Sequence, residues 1–131
     1  MRRSLAMVGT LLLCASAGLS AQAMRNVARI SIDELKPLVE QGSVLVLDVR
    51  RPDEFVQGHI PGAVNLDYTL VAAQGSRFKA ETRPIVAYCA CANEMTAARA
   101  AVDLAGLGIT GAKALKGGWN EWVARGERIE K

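Results

Sequence analysis

The sequence predicts an α/β domain in which a parallel sheet carries helices on both faces, and three observations lead there. Two apolar runs rich in β-branched residues, Val44–Val49 (VLVLDV) and Pro84–Cys89 (PIVAYC), lack the polar alternation of a half-exposed strand and read as strands buried on both faces. Segments of helical character stand between and after them, so strand and helix alternate along the chain. The chain has 131 residues and is 50% apolar, enough for one core and too short for two ordinary domains.

The first segment, residues 1–23, has a basic start (Arg2, Arg3), an apolar middle from Leu5 to Leu19 and a small-x-small end, Ala21-Gln22-Ala23. This is the layout of a secretory signal, with cleavage expected after Ala23 and residues 24–131 left as a single domain. The run contains Gly9, Ser16 and Gly18 and is short for a span that needs about 20 apolar residues. Export to the periplasm or cell envelope is therefore expected, with the membrane met only in transit; an uncleaved anchor is the alternative. Removal of the segment takes two arginines and no acid, leaving 14 basic against 13 acidic residues. A nearly neutral domain with scattered charge has no electrostatic footprint for nucleic acid.

Ser31–Glu34 (SIDE) reads as a capping box that opens a helix, with Ile30 and Leu35 placed for a hydrophobic staple. Pro37 inside that helix would cost roughly 3 kcal/mol, which predicts either a kink or a regular part starting near Lys36. After the first strand, "RPDEFVQG" predicts a short helix with Pro52 in its first turn and Gly58 as its stop. Pro61-Gly62 marks a turn into a short strand, Ala63–Asn65, and the stretch from there through Thr82 shows no clear period. Met95–Leu107 predicts a helix with Met95, Ala98, Val102 and Ala105 on its inner face and Gly106 and Gly108 to end it. A strand over Ala112–Leu115 and a helix over Gly118–Ala124 complete the order.

In open parallel sheets, ligands bind beyond the carboxyl ends of the strands, and both Asp48-Val49-Arg50 and Cys89–Glu94 emerge there. Cys89 leaves a strand for a tight loop that runs into a helix. A helix N-terminus stabilises a thiolate and any anionic sulfur attached to it, so the position favours a nucleophile over a small apolar filler. Zinc needs four ligands, and Cys89, Cys91 and the distant His59 do not supply them. A thioredoxin-type motif places two residues between its cysteines, whereas Ala90 alone stands here, so a disulfide would be strained and easily reduced, and a transient one is conceivable. A tyrosine-phosphatase loop needs arginine where Met95 stands. Two cysteines this close close almost no loop and cannot staple a fold, which leaves them a chemical task in an oxidising compartment.

Three segments in this order and spacing, "VLDVRRPDEFVQGHIPGAVNL", "VAYCACANE" and "KGGWNEWVARG", resemble the single-domain rhodaneses, over about Ile30 to Gly126. The resemblance implies a rhodanese-like fold and a sulfurtransferase with Cys89 as the catalytic residue. Its thiolate would attack the outer sulfur of a donor such as thiosulfate, release sulfite and keep a persulfide, which a thiol or cyanide acceptor then removes. Backbone N–H groups of Ala90, Cys91, Ala92, Asn93 and Glu94 would cradle that sulfur, and neither a metal nor an organic cofactor is required. Asp48, Arg50 and Glu54 match the family's Asp-x-Arg and downstream acid, which shape the loop. His59, in "GHIPGA", would bond backbone near its turn. Trp119 and Trp122, one turn apart, read as core packing.

Many active rhodaneses carry glycine and arginine at the fourth and sixth loop positions, where this chain has Ala92 and Glu94. A carboxylate there would repel an anionic donor and oppose the helix dipole, with Arg50, Arg51 or Arg99 available to compensate. Cys91 adds a second question, whether it attacks the Cys89 persulfide and leaves a disulfide. Two other readings stay open: a catalytically silent rhodanese module that binds a partner or small sulfur species, and a thiol-disulfide redox protein using Cys89 and Cys91.

Overall fold

The computed structural model describes residues 11–131, with side chains from Gly18 onward. Arg2, Arg3 and the start of the apolar run lie outside the described residues. The elements are α1 (Leu11–Asn26), β1 (Arg29–Ile30), α2 (Ile32–Glu40), β2 (Leu45–Asp48), α3 (Pro52–Gln57), β3 (Val64–Asn65), α4 (Tyr68–Gln74), β4 (Ile85–Tyr88), α5 (Met95–Gly106), β5 (Lys113–Leu115) and α6 (Gly118–Ala124). Five strands, all parallel, form one sheet in the order β1-β5-β4-β2-β3. Among the described residues no helix is long and apolar enough to cross a membrane.

Because side chains alternate along a strand, each apolar run divides between two cores. Leu45, Leu47 and Val49 of the first run and Ile85, Ala87 and Cys89 of the second face α4 and α5. Val44, Val46, Val86 and Tyr88 face the opposite side, with Ile32 and Leu35 of α2 and Trp122 of α6. The register pairs Leu45 with Ile85 and Asp48 with Tyr88, so residues of equal parity stay together from the start of the strands to their carboxyl ends.

The Ser31 capping box forms: Ser31 Oγ accepts from Glu34 N, and Glu34 Oε2 accepts from Ser31 N. Ile30 and Leu35 are both buried beside it. Pro37 neither delays nor divides α2, which is assigned continuously from Ile32. Asp33, whose carbonyl the missing Pro37 N–H would have met, is exposed, so water can take the vacant acceptor.

Two expectations need correction. The inner face of α5 is Ala97, Ala98, Ala100, Ala101 and Leu104, while Met95 is 51% exposed and Ala105 also faces out. Ala97, Ala100 and Leu104 of this face pack against the strand residues of the sheet. The stretch after Asn65 holds α4 and a 3₁₀ turn over Gly75–Phe78. Asp67 caps α4 by accepting from Thr69 N and Oγ1, but Val71 is its one fully buried side chain, so almost no apolar period marks it.

Candidate active site

Three loops at the carboxyl edge of the sheet surround an open cleft of about 320 Å³. Val49, Arg50 and Arg51 follow β2, with Glu54 above them on α3; Asp67, Tyr68 and Thr69 follow β3; Cys89, Ala90 and Cys91 follow β4, with Thr96 in the first turn of α5. Cys89 is 3% exposed, at the end of the buried β4 run, and Cys91 is partly buried. Their Cα atoms are 5.5 Å apart and their sulfurs are joined in a disulfide.

The loop has an unusual backbone. Asn93 and Glu94 both take left-handed conformations, with φ of 56° and 54°. Asparagine tolerates this, but for glutamate it costs of order 1 kcal/mol and must be offset by contacts. Glu94 has them: Oε1 accepts from Gly117 N at 2.8 Å, and Oε2 lies 3.6 Å from Arg29 Nε. The carboxylate thus ties the cysteine loop to the entry of α6 and to β1 and does not line the cleft, which corrects the expectation that it confronts the donor. The loop sulfur that receives a backbone hydrogen bond is Cys91 Sγ, from Thr96 N at 3.4 Å. After the two left-handed residues, an N–H of the first turn of α5 is thus aimed at Cys91.

Behind the loop, on the other face of the sheet, lies a buried polar network. Asp48 is fully buried, and Arg50 Nε and Nη2 both donate to its carboxylate, Nη2 at 2.6 Å. Tyr88 Oη donates to Asp48 Oδ2 at 2.5 Å and accepts from Ile60 N at 3.1 Å. Arg50 also donates to Gly58 O and lies 4.2 Å from the Trp119 ring centroid. Asn65 Nδ2 donates to the carbonyls of Asp48 and Arg50, which pins the loop after β2. Burial opposes the Arg50 cation, but the hydrogen bonds and charge of Asp48 outweigh it and hold its pKa above the ordinary guanidinium value. Burial, reinforced by the negative Asp48, pushes the Tyr88 phenol well above the usual tyrosine range. Arg50 is therefore committed to Asp48 and is not free to bind an anionic donor.

The remaining sequence candidates divide. Glu54 borders the cleft and accepts from Arg51 N at 3.2 Å. His59 stands apart from the cleft, its ring stacked on Phe55 and its Nδ1 3.0 Å from Phe55 O. Ala92 and Asn93 are exposed in the turn before α5. Arg51 lines the cleft and pairs with Asp53 at 3.2 Å, and Arg99 pairs with Asp103 on α5. Trp122 is core, and Trp119 packs over Arg50 and Tyr88.

Sequence reasoning missed two parts of the site. Asp67, Tyr68 and Thr69 form one wall, and the D-x-T capping pattern was the signal available. Gly118 supports the loop from beneath: a Cβ there would lie 2.3 Å from Cys89 O, which accepts from Trp119 N at 2.9 Å. The paired glycines of "KGGW" hinted at a close approach, but nothing local said to what.

The family model of the rhodanese-like domain matches residues 31–125, and the chain belongs to that family. It is 35% identical over 92 residues to Thiosulfate sulfurtransferase 16, chloroplastic, of Arabidopsis thaliana, covering 61% of this chain and 74% of that protein. Over 99 residues it is 35% identical to Thiosulfate sulfurtransferase GlpE of Pseudomonas syringae, covering 76% of this chain and 90% of that one. Among solved structures, the human single-domain sulfurtransferase TSTD1 matches with a TM-score of 0.62 and 26% identity, over 76% of this chain and 98% of its own. A Rhodopseudomonas palustris protein of unknown function matches with a TM-score of 0.72, over 97% of this chain and all (100%) of its own; at 22% identity this is a likeness of fold.

Proposed function

We propose that the protein is a sulfurtransferase that moves a sulfane sulfur from a donor such as thiosulfate to a thiol or cyanide acceptor through a persulfide on Cys89. The observation that carries this reading is the place of Cys89 in a rhodanese-like chain, on the floor of a cleft at the carboxyl edge of the sheet. Relatives named thiosulfate sulfurtransferases at 35% identity support the reaction class. Reduction of the Cys89–Cys91 disulfide frees the nucleophile. The Cys89 thiolate then attacks the outer sulfur of thiosulfate, the sulfur–sulfur bond of the donor breaks, and sulfite leaves with the electron pair. Arg51 lines the cleft outside the buried network, in an exposed pair with Asp53 at 3.2 Å, and supplies attraction for an anionic donor.

The test is the reduced chain given thiosulfate, read by sulfite release and by intact mass. Sulfite released one per chain, absent in Cys89→Ser, is the expected result, with one cyanide-removable sulfur gained by Cys91→Ser. The absence of both sulfite from thiosulfate and sulfur uptake by Cys91→Ser from an uncharged persulfide donor would remove the reading in favour of a binding module. Export by way of residues 1–23 is part of the proposal and rests on the layout of that segment; recovery of a periplasmic chain beginning at Met24 tests it.

A further inference from the structure

Cys91 lines the same cleft as Cys89, its sulfur reaches the Cys89 sulfur, and it alone of the two receives a helix N–H, from Thr96. A lone nucleophile needs none of this. We propose that Cys91 is a resolving thiol that discharges the Cys89 persulfide as hydrosulfide, making the protein a sulfide-releasing enzyme that depends on a dithiol reductant. The proposal rests on the sulfurtransferase reading above and adds the fate of the sulfur.

The Cys91 thiolate attacks Cys89 Sγ, the bond between Cys89 Sγ and the outer sulfur breaks, and that sulfur leaves as hydrosulfide with the electron pair. Two cysteine sulfurs are oxidised to the disulfide and the sulfane sulfur is reduced to sulfide, so the step needs no outside oxidant. The product is the bond seen in the structure. A small or protein dithiol then reopens it by attacking the more accessible Cys91 sulfur and expelling the Cys89 thiolate. Its second thiol completes the exchange and releases Cys91, whose negative charge the Thr96 N–H and the helix end stabilise. One thiosulfate and one dithiol thus give sulfite, hydrosulfide, a cyclic disulfide and one proton.

Geometry also favours resolution over direct transfer. Cys89 is almost wholly buried, so an external acceptor must enter the cleft, while Cys91 is already there. An effective concentration of about 1 M is modest for an oriented intramolecular group, yet would outrun an external thiol at about 1 mM by about a thousandfold.

The experiment uses the full chain, reduced with a small dithiol, freed of it under exclusion of oxygen, and given excess thiosulfate with no added thiol. Wild type should release sulfide and sulfite one to one and end two hydrogens lighter. Cys91→Ser and Cys91→Ala should release sulfite, hold the added sulfur, and release sulfide more than about tenfold more slowly. Wild type that forms sulfite, keeps the added sulfur and releases no sulfide would overturn the proposal while leaving the sulfurtransferase reading intact. No sulfite from wild type or either variant would remove both. The wild-type ratio of sulfide to sulfite needs no variant to fold.

Discussion

Replacing Gly118 with alanine tests whether the entry of α6 holds the cysteine loop in place. Gly118 has φ of +55°, and an added Cβ would stand 2.3 Å from Cys89 O. A left-handed residue with a side chain costs about 1–2 kcal/mol. Relief of the contact requires the Cys89 carbonyl and the first turn of α6 to separate by about 1 Å, an overpacking that costs a further 1–3 kcal/mol or so. The expected loss is therefore about 2–5 kcal/mol, or roughly 8–20 °C in Tm for a domain of this size. Gly111→Ala is the control, because Gly111 has φ of +84° with nothing within 4 Å of its added Cβ and should lose only the backbone share. Urea unfolding followed by far-UV circular dichroism measures both. Equal losses in the two variants would refute the claim that Cys89 O and Gly118 are in forced contact. Sulfur transfer by Gly118→Ala, measured well below its Tm, should also fall, since the carbonyl that moves belongs to Cys89, the proposed nucleophile.

Other consequences follow from the buried network and the loop. Asp48→Ala leaves the buried Arg50 guanidinium without its carboxylate and should cost about 3–5 kcal/mol in urea unfolding; a loss under about 1 kcal/mol would mean that Arg50 finds water. Tyr88 has its pKa raised above the ordinary value of 10 by burial and by Asp48, so near pH 10 and above the unfolded chain releases a proton that the folded chain keeps. Stability fully present below that pH should fall by up to about 1.4 kcal/mol per pH unit above it. Tyr88→Phe should flatten that alkaline slope, and an unchanged slope would show that Tyr88 is not its source. Glu94→Gln keeps an acceptor for Gly117 N and removes only the pairing with Arg29, so the KM for thiosulfate should change less than about threefold. A tenfold fall, about 1.4 kcal/mol, would mean that the carboxylate does act on the donor.

The alternation of strands and helices was legible in the sequence because it follows from local facts: two apolar runs too uniform for a half-exposed strand, a capping box before α2, a proline opening α3. Cys89 at a strand end was legible for the same reason, since strand, loop and helix are consecutive there. Helix α4 was not, because one buried valine gives no period to read, and the inner face of α5 was misread because its alanines carry little contrast.

What the sequence by itself determined is therefore the class of fold and the strand end at which Cys89 stands. The tertiary structure decided the assignments that depend on partners far away in the chain. It gave Arg50 to Asp48 and the opposite face, turned Glu94 toward Gly117 and Arg29, and brought Gly118 under Cys89. The physical reason is parity and register: alternation within a strand is a local property, whereas which neighbour stands beside each side chain is set by pairing between strands that no local pattern encodes.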